Sequence, residues 1–153
     1  MKRIKSFTIA VILALTIPVF PAAASTPLEV TIVSEMWLSS GTGTFEASGP
    51  AVDAGFVCPA GTVTDSNIKP VGWQSDQVLI LFVHKQFVCN DGSGSFEMDL
   101  NVRVASTGTT ARWIVVGGDG SYVNLSGNGG LTAAWGDVPD LLIDTYSGKM
   151  HVK

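Results

Sequence analysis

His84 is the mid-chain residue whose side chain is best suited to chemistry, because a neutral imidazole can act as a general base near pH 7. Its neighbours in the sequence include no carboxylate at an obvious orienting position, and Phe82 lies two residues away in an apolar stretch. These surroundings favour a structural role or a ligand contact for His84. We therefore assign no catalytic residue.

Three charged residues, Glu97, Asp99 and Arg103, alternate with apolar residues and would share one face of a strand. If these three side chains pointed into a barrel, they would form a catalytic constellation. The opposite face of this segment, Phe96–Val104, is apolar and is the better candidate for the core. The pattern therefore predicts a solvated outer face on which these charges pair across strands.

Two glycine-rich segments with aspartates, Asn90–Gly94 and Gly117–Gly120, are superficially similar to calcium loops. Neither has the alternating ligands and the Glu at the twelfth position of an EF-hand, and a calcium-binding nonapeptide repeat would require Asp where Tyr122 stands. The chain also lacks a P-loop, an H-E-x-x-H helix and a G-x-S-x-G elbow. The sequence predicts turns here, with no metal and no cofactor.

Cys58 and Cys89 are the two cysteines, and neither has a second thiol or a histidine at metal-ligand spacing. In an exported chain, such a pair most simply forms a disulfide. The alternative, a nucleophilic or metal-binding thiol, has less support.

Aromatic residues at strand spacing are more often core than ligand contacts, but a small barrel must fill or use its interior. Trp73 and Trp135 belong to the same aromatic set. The predicted ligand-contacting residues are Trp37, Phe45, Phe82, His84, Trp113 and Tyr122.

The chain after residue 24 consists mostly of short apolar–polar alternations separated by Gly, Asn, Asp and Ser turns. Gln77–Cys89 is the longest strand signal, and its first half is apolar on both faces, so both faces require cover from the core, another element or a subunit. Arg112–Leu131 predicts a strand, a glycine turn and return strands at Ser121–Ser126 and Gly130–Trp135. No helical period exceeds two turns. The sequence thus predicts an all-β fold of about eight antiparallel strands, a closed barrel or a sandwich.

Residues 1–24 have the pattern of a signal peptide: Lys2, Arg3 and Lys5, then the apolar stretch Phe7–Phe20, then Ala22–Ala24. The expected product is one domain, residues 25–153, secreted or periplasmic and not inserted in the membrane after cleavage. The formal net charge of −4 becomes more negative once these basic residues are removed. Nucleic acid is therefore a poor candidate partner.

Gly117–Gly127, G-G-D-G-S-Y-V-N-L-S-G, resembles the G-G-x-G-x-[F/Y]-x-x-x-x-G signature of plant dirigent proteins and allene oxide cyclases. Cys58–Thr62 and Gln86–Phe96 resemble segments of small exported bacterial proteins of that superfamily. The resemblance implies an eight-stranded antiparallel barrel with an apolar lumen, trimeric in plant relatives. Ser121 and Ser126 stand where dirigent proteins can carry titratable groups.

The preferred hypothesis is an exported barrel of uncertain enzymatic status that binds a small apolar or aromatic ligand in its lumen, or acts as an oligomeric surface or periplasmic module. The alternative is a cyclase-type isomerase or lyase that steers the cyclisation of a hydrophobic substrate by shape. An apolar cavity would favour either of these over a purely structural module, and inward-facing charge would favour the enzyme.

Overall fold

A computed structural model describes residues 25–71 and 78–153. The predicted signal peptide, residues 1–24, and Trp73 lie outside the described residues.

Eight antiparallel strands form a closed barrel in which each strand pairs with its neighbours in the chain and the last pairs with the first. This confirms the prediction of a small all-β barrel. The strands are β1 (Leu28–Trp37), β2 (Thr42–Ser48), β3 (Ala60–Pro70), β4 (Val78–Cys89), β5 (Ser95–Ala105), β6 (Gly108–Gly118), β7 (Leu125–Trp135) and β8 (Leu141–Val152).

Helical structure is limited to α1 (Pro50–Asp53) and a 3-10 turn at Gly120–Tyr122. The strand predicted at Ser121–Ser126 is therefore wrong in its first half, since Gly120 has φ +57° and starts this turn before β7 begins at Leu125. Among the residues described, no helix has the length and apolar character to span a bilayer.

Strand β4 shows how the sequence pattern divides the inside of the barrel from the outside. Val83, Lys85 and Phe87 are buried in the interior, whereas Phe82 and His84 point outward. Phe82 is only partly exposed, because the Lys69 ammonium lies 5.0 Å from the centre of its ring. Part of the cover that the two-sided apolar pattern requires is therefore supplied within the chain.

One half of the interior is filled by a cluster of aromatic side chains, here called the aromatic plug: Phe45, Phe87, Phe96, Tyr122 and Tyr146. Phe87 and Phe96 stack with centroids 4.8 Å apart, and the other contacts are edge-to-face at 5.2–6.1 Å. Such geometry adds to the stabilisation from burial. All five side chains are buried, so the plug fills the interior where they pack.

The same end carries the cross-link and the glycine turn. Cys58 and Cys89 form a disulfide, as predicted, with Cα atoms 6.0 Å apart. The Asp119 side chain accepts a hydrogen bond from the backbone N–H of Ser95 at 2.6 Å, joining the Gly117–Gly120 segment to the β4–β5 hairpin. We call this end, with α1, the closed end.

Candidate functional site

A cavity of about 240 Å³ occupies the other half of the lumen. Leu38, Ile68 and Trp135 form its exposed apolar rim, and Trp135 is 71% exposed. The remaining wall residues are contributed by five strands and are mostly apolar: Leu81, Val83, Leu100, Val102, Val104, Thr109, Leu131 and Leu142. Large apolar side chains exposed at a cavity rim are typical of a ligand entrance.

The cavity ends on a layer of polar side chains that separates it from the aromatic plug. We call this layer the polar floor. It consists of Ser34, Asp65, Lys85, Asp144 and the hydroxyl of Tyr146, whose ring belongs to the aromatic plug. The three charged residues line the cavity. Strand register brings them together, since Asp65 pairs with Lys85 between β3 and β4, and Ser34 pairs with Asp144 between β1 and β8.

Lys85 is the centre of the polar floor. Its Nζ lies 2.7 Å from Asp65 Oδ1 and 3.2 Å from Asp144 Oδ2, and the exposed fractions of these side chains are 5%, 9% and 4%. The contact with Asp144 is a hydrogen bond, and the closer contact with Asp65 is an ion pair. Charges buried to this extent persist only when they are paired.

The polar floor alters the acidity of its own members. Burial raises the pKa of the Asp65 carboxyl above its usual value, although the Lys85 ammonium opposes this rise. Burial also raises the pKa of the Tyr146 hydroxyl, and the negative charge of Asp144 adds to the effect. Tyr146 donates a hydrogen bond of 3.2 Å to Asp144, which it can do only while protonated.

The structure places the six predicted ligand residues at three locations, and none of them lines the cavity. Phe45 and Tyr122 belong to the aromatic plug. Trp113 is buried in the barrel away from the cavity, and its Nε1 donates a hydrogen bond to the Gly130 carbonyl at 2.9 Å. Trp37, Phe82 and His84 lie on the outer face.

His84 has an orienting carboxylate after all, supplied by the neighbouring strand. Its Nδ1 lies 2.7 Å from Asp99 Oδ1, and its Nε2 lies 3.7 Å from Glu97 Oε2. His84 and Asp99 are register partners between β4 and β5. This is the cross-strand pairing that the charged face of β5 predicted, and it stands on the outside of the barrel, away from the cavity.

Sequence reasoning missed Lys85 as a functional candidate. The signal was present: Lys85 stands between Val83 and Phe87 in the inward-facing phase of a strand that is otherwise apolar on that side. A lone charge in an apolar phase requires a buried partner. The identity of that partner depends on the register with β3 and on barrel closure, which no local pattern specifies.

In residues 25–71 and 78–153, no group of three or more His, Cys, Asp or Glu side chains is arranged to hold a metal ion. Comparison of the chain with protein-family models, with curated proteins and with solved structures found no match. The function must therefore be argued from the site itself.

Proposed function

We propose that this chain is an exported barrel protein that binds a small apolar or aromatic molecule in its lumen. The observation that carries the proposal is the cavity of about 240 Å³ with an apolar wall and an exposed apolar rim. An apolar cavity of 150 Å³ is large enough for benzene, so this one accommodates a molecule of about two fused rings. A larger ligand would extend past the rim.

The disulfide supports the exported location, since such bonds persist mainly in oxidising compartments. The eight-stranded closed barrel supports membership in the allene oxide cyclase and dirigent-like barrel superfamily. We include both in the proposal, together with the signal peptide at residues 1–24.

Self-association, as a trimer by the same resemblance, is part of the proposal. Ile114 and Val116 support it, because these neighbouring outward residues of β6 are 52% and 45% exposed. An association that used this face would leave the cavity free, because both residues lie outside the lumen.

The test is native mass spectrometry of the protein purified from its own host, followed by binding of a neutral fluorescent dye. We expect a co-purifying lipophilic molecule and saturable dye binding. Val102→Trp fills the cavity and should abolish binding, whereas Val123→Trp adds the same side chain at an exposed turn outside the lumen and should not. An empty protein that binds no dye, or equal binding by both variants, would refute the proposal.

A second candidate function is a cyclase-type isomerase or lyase, and the charged polar floor favours it. Asp65 is a buried carboxyl that keeps its proton to a higher pH than usual, a property expected of a general acid. The test is conversion of a co-purified ligand to an isomer of equal mass. Asp65→Asn should remove conversion and retain binding; conversion that survives this change would exclude Asp65 as the acid.

A further inference from the structure

The polar floor has an unbalanced set of charges and an unused hydrogen-bond donor. It combines one ammonium, Lys85, with two carboxylates, Asp65 and Asp144. Lys85 has three N–H groups, and its contacts with Asp144 and Asp65 occupy two of them. The third has no acceptor among the described residues.

Buried polar groups are almost always hydrogen-bonded, so a remaining Lys85 N–H at the bottom of the cavity indicates an acceptor that arrives with the ligand. The Lys85 ammonium can only donate a hydrogen bond, and the ionised Asp65 carboxylate can only accept one. A ligand hydroxyl does both at a single atom, since it accepts from Lys85 and donates to Asp65. If Asp65 holds a proton, the same hydroxyl accepts from it.

The charge excess acts against an acidic ligand. A carboxylate entering the cavity would be a third negative charge beside a single ammonium that already contacts Asp65 and Asp144. Like charges in a low-dielectric interior repel strongly, and the carboxylate would also lose its hydration. The apolar wall offers no other cation, since Lys85 is the only basic residue among the described residues that line the cavity.

We infer that the lumen is specific for an uncharged apolar molecule with one hydroxyl group, bound with that hydroxyl beside the Lys85–Asp65 pair, and that it rejects the carboxylate of the same skeleton. This inference rests on the proposed lumen binding and adds the chemistry of the ligand's polar end. The apolar body occupies the wall region around Leu100 and Val102.

The test uses three molecules with one skeleton, namely 2-naphthalenemethanol, 2-naphthoate and 2-methylnaphthalene. Their affinities are measured at pH 7 by displacement of a bound neutral dye. We expect the alcohol to bind at least about tenfold more tightly than the carboxylate and more tightly than the hydrocarbon, because only the alcohol satisfies both groups without adding charge.

Asp65→Asn removes the excess negative charge and should narrow the alcohol-to-carboxylate ratio by about fivefold or more. Asp53→Asn is the matched control, since Asp53 is an exposed carboxylate in α1 at the closed end, and it should leave the ratio unchanged. A thermal melt of each variant confirms that it folds.

The outcomes separate the two proposals. If neither the dye nor any of the three molecules binds the wild-type chain, lumen binding itself fails. If the hydrocarbon and the dye bind but the carboxylate binds as tightly as the alcohol, the inference fails and the proposed function stands. An unchanged ratio in Asp65→Asn would likewise overturn the assignment of Asp65.

Discussion

Replacing Lys85 by methionine should destabilise the barrel strongly at neutral pH. The change keeps an unbranched side chain of similar length and removes the only ammonium from between two buried carboxylates, which lie 2.7 and 3.2 Å away. Each contact represents roughly 5–6 kcal/mol of Coulomb attraction at an effective dielectric constant of about 20. The hydration that the ammonium loses on burial offsets much of this. Removing one partner of a buried ion pair typically costs about 3–5 kcal/mol, which is the loss we expect at pH 7.

The loss should depend on pH with a defined sign. The pKa of Asp65 is already raised in the folded protein. The contribution of Asp65 to wild-type stability therefore falls as the pH rises from the ordinary pKa of 3.8 through the raised pKa of the folded protein. Lys85→Met removes the ammonium that opposes the rise in the Asp65 pKa. The pH range over which this contribution to stability is lost therefore extends to higher pH. Near pH 4 the Asp65 carboxyl, whose pKa is raised, takes up its proton, and we expect the loss to shrink to about 1–2 kcal/mol.

The assay is urea unfolding of Lys85→Met and wild type at pH 7 and pH 4, in which a midpoint shift at constant slope reports the free energy of unfolding. Lys149→Met is the control, since Lys149 is exposed, and its effect should stay within about 0.5 kcal/mol. Adding Asp65→Asn and Asp144→Asn to Lys85→Met should recover more than half of the loss. A loss below about 1 kcal/mol at pH 7, or an equal loss at both pH values, would refute the electrostatic account.

Three further predictions concern the frame and the outer face. Reducing the Cys58–Cys89 disulfide, whose partners are 31 residues apart, should cost about 3–4 kcal/mol in the free energy of unfolding, measured with and without reductant; no change would contradict the cross-link model. Gly129→Ala places a Cβ 2.5 Å from the Trp113 ring and should lower the free energy of unfolding by about 1–3 kcal/mol. The Cβ of Gly130→Ala meets no atom closer than 3.9 Å, so this variant should be tolerated. Equal melting temperatures for the two variants would be inconsistent with this packing. His84→Ala removes a partly exposed hydrogen bond to Asp99 and should change stability by under about 1 kcal/mol with unaltered dye affinity; lost affinity would place His84 in the site.

The fold could be predicted further than the site. The alternation of Phe96–Val104 predicted which side of β5 is buried, and the structure has Met98 and Leu100 inside with Glu97 and Asp99 outside. Strand alternation is a local pattern, so it can be recognised in the sequence without knowledge of the partner strands. The turn at Gly120 was harder, because a positive φ can serve either a hairpin or a 3-10 turn.

The site depends on contacts between residues far apart in the chain. Lys85 and Asp144 are 59 residues apart, and they meet only because the barrel closes between β1 and β8. Their meeting follows from strand order, register and shear together, none of which is encoded by the residues around either one. The placement of the aromatic residues predicted to contact a ligand depends on the same features: a large ring fills whichever part of the interior its strand position reaches, and Phe45 and Tyr122 reach the closed end.

The segments with recognisable motifs and the segments that form the cavity lie in opposite halves of the barrel. Gly117–Gly120, Cys58 and the Asn90–Gly94 turn all belong to the closed end, where hydrogen bonds, a disulfide and stacked rings fix the architecture. The polar floor and the wall carry no motif, and they are built from single side chains on strands whose pairing the closed end already holds. Substitutions in the wall can therefore change the shape of the cavity without disturbing the frame. A resemblance carried by the closed end consequently bears on the fold, and the chemistry of the proposed ligand would depend on residues such as Lys85 that lie outside every motif.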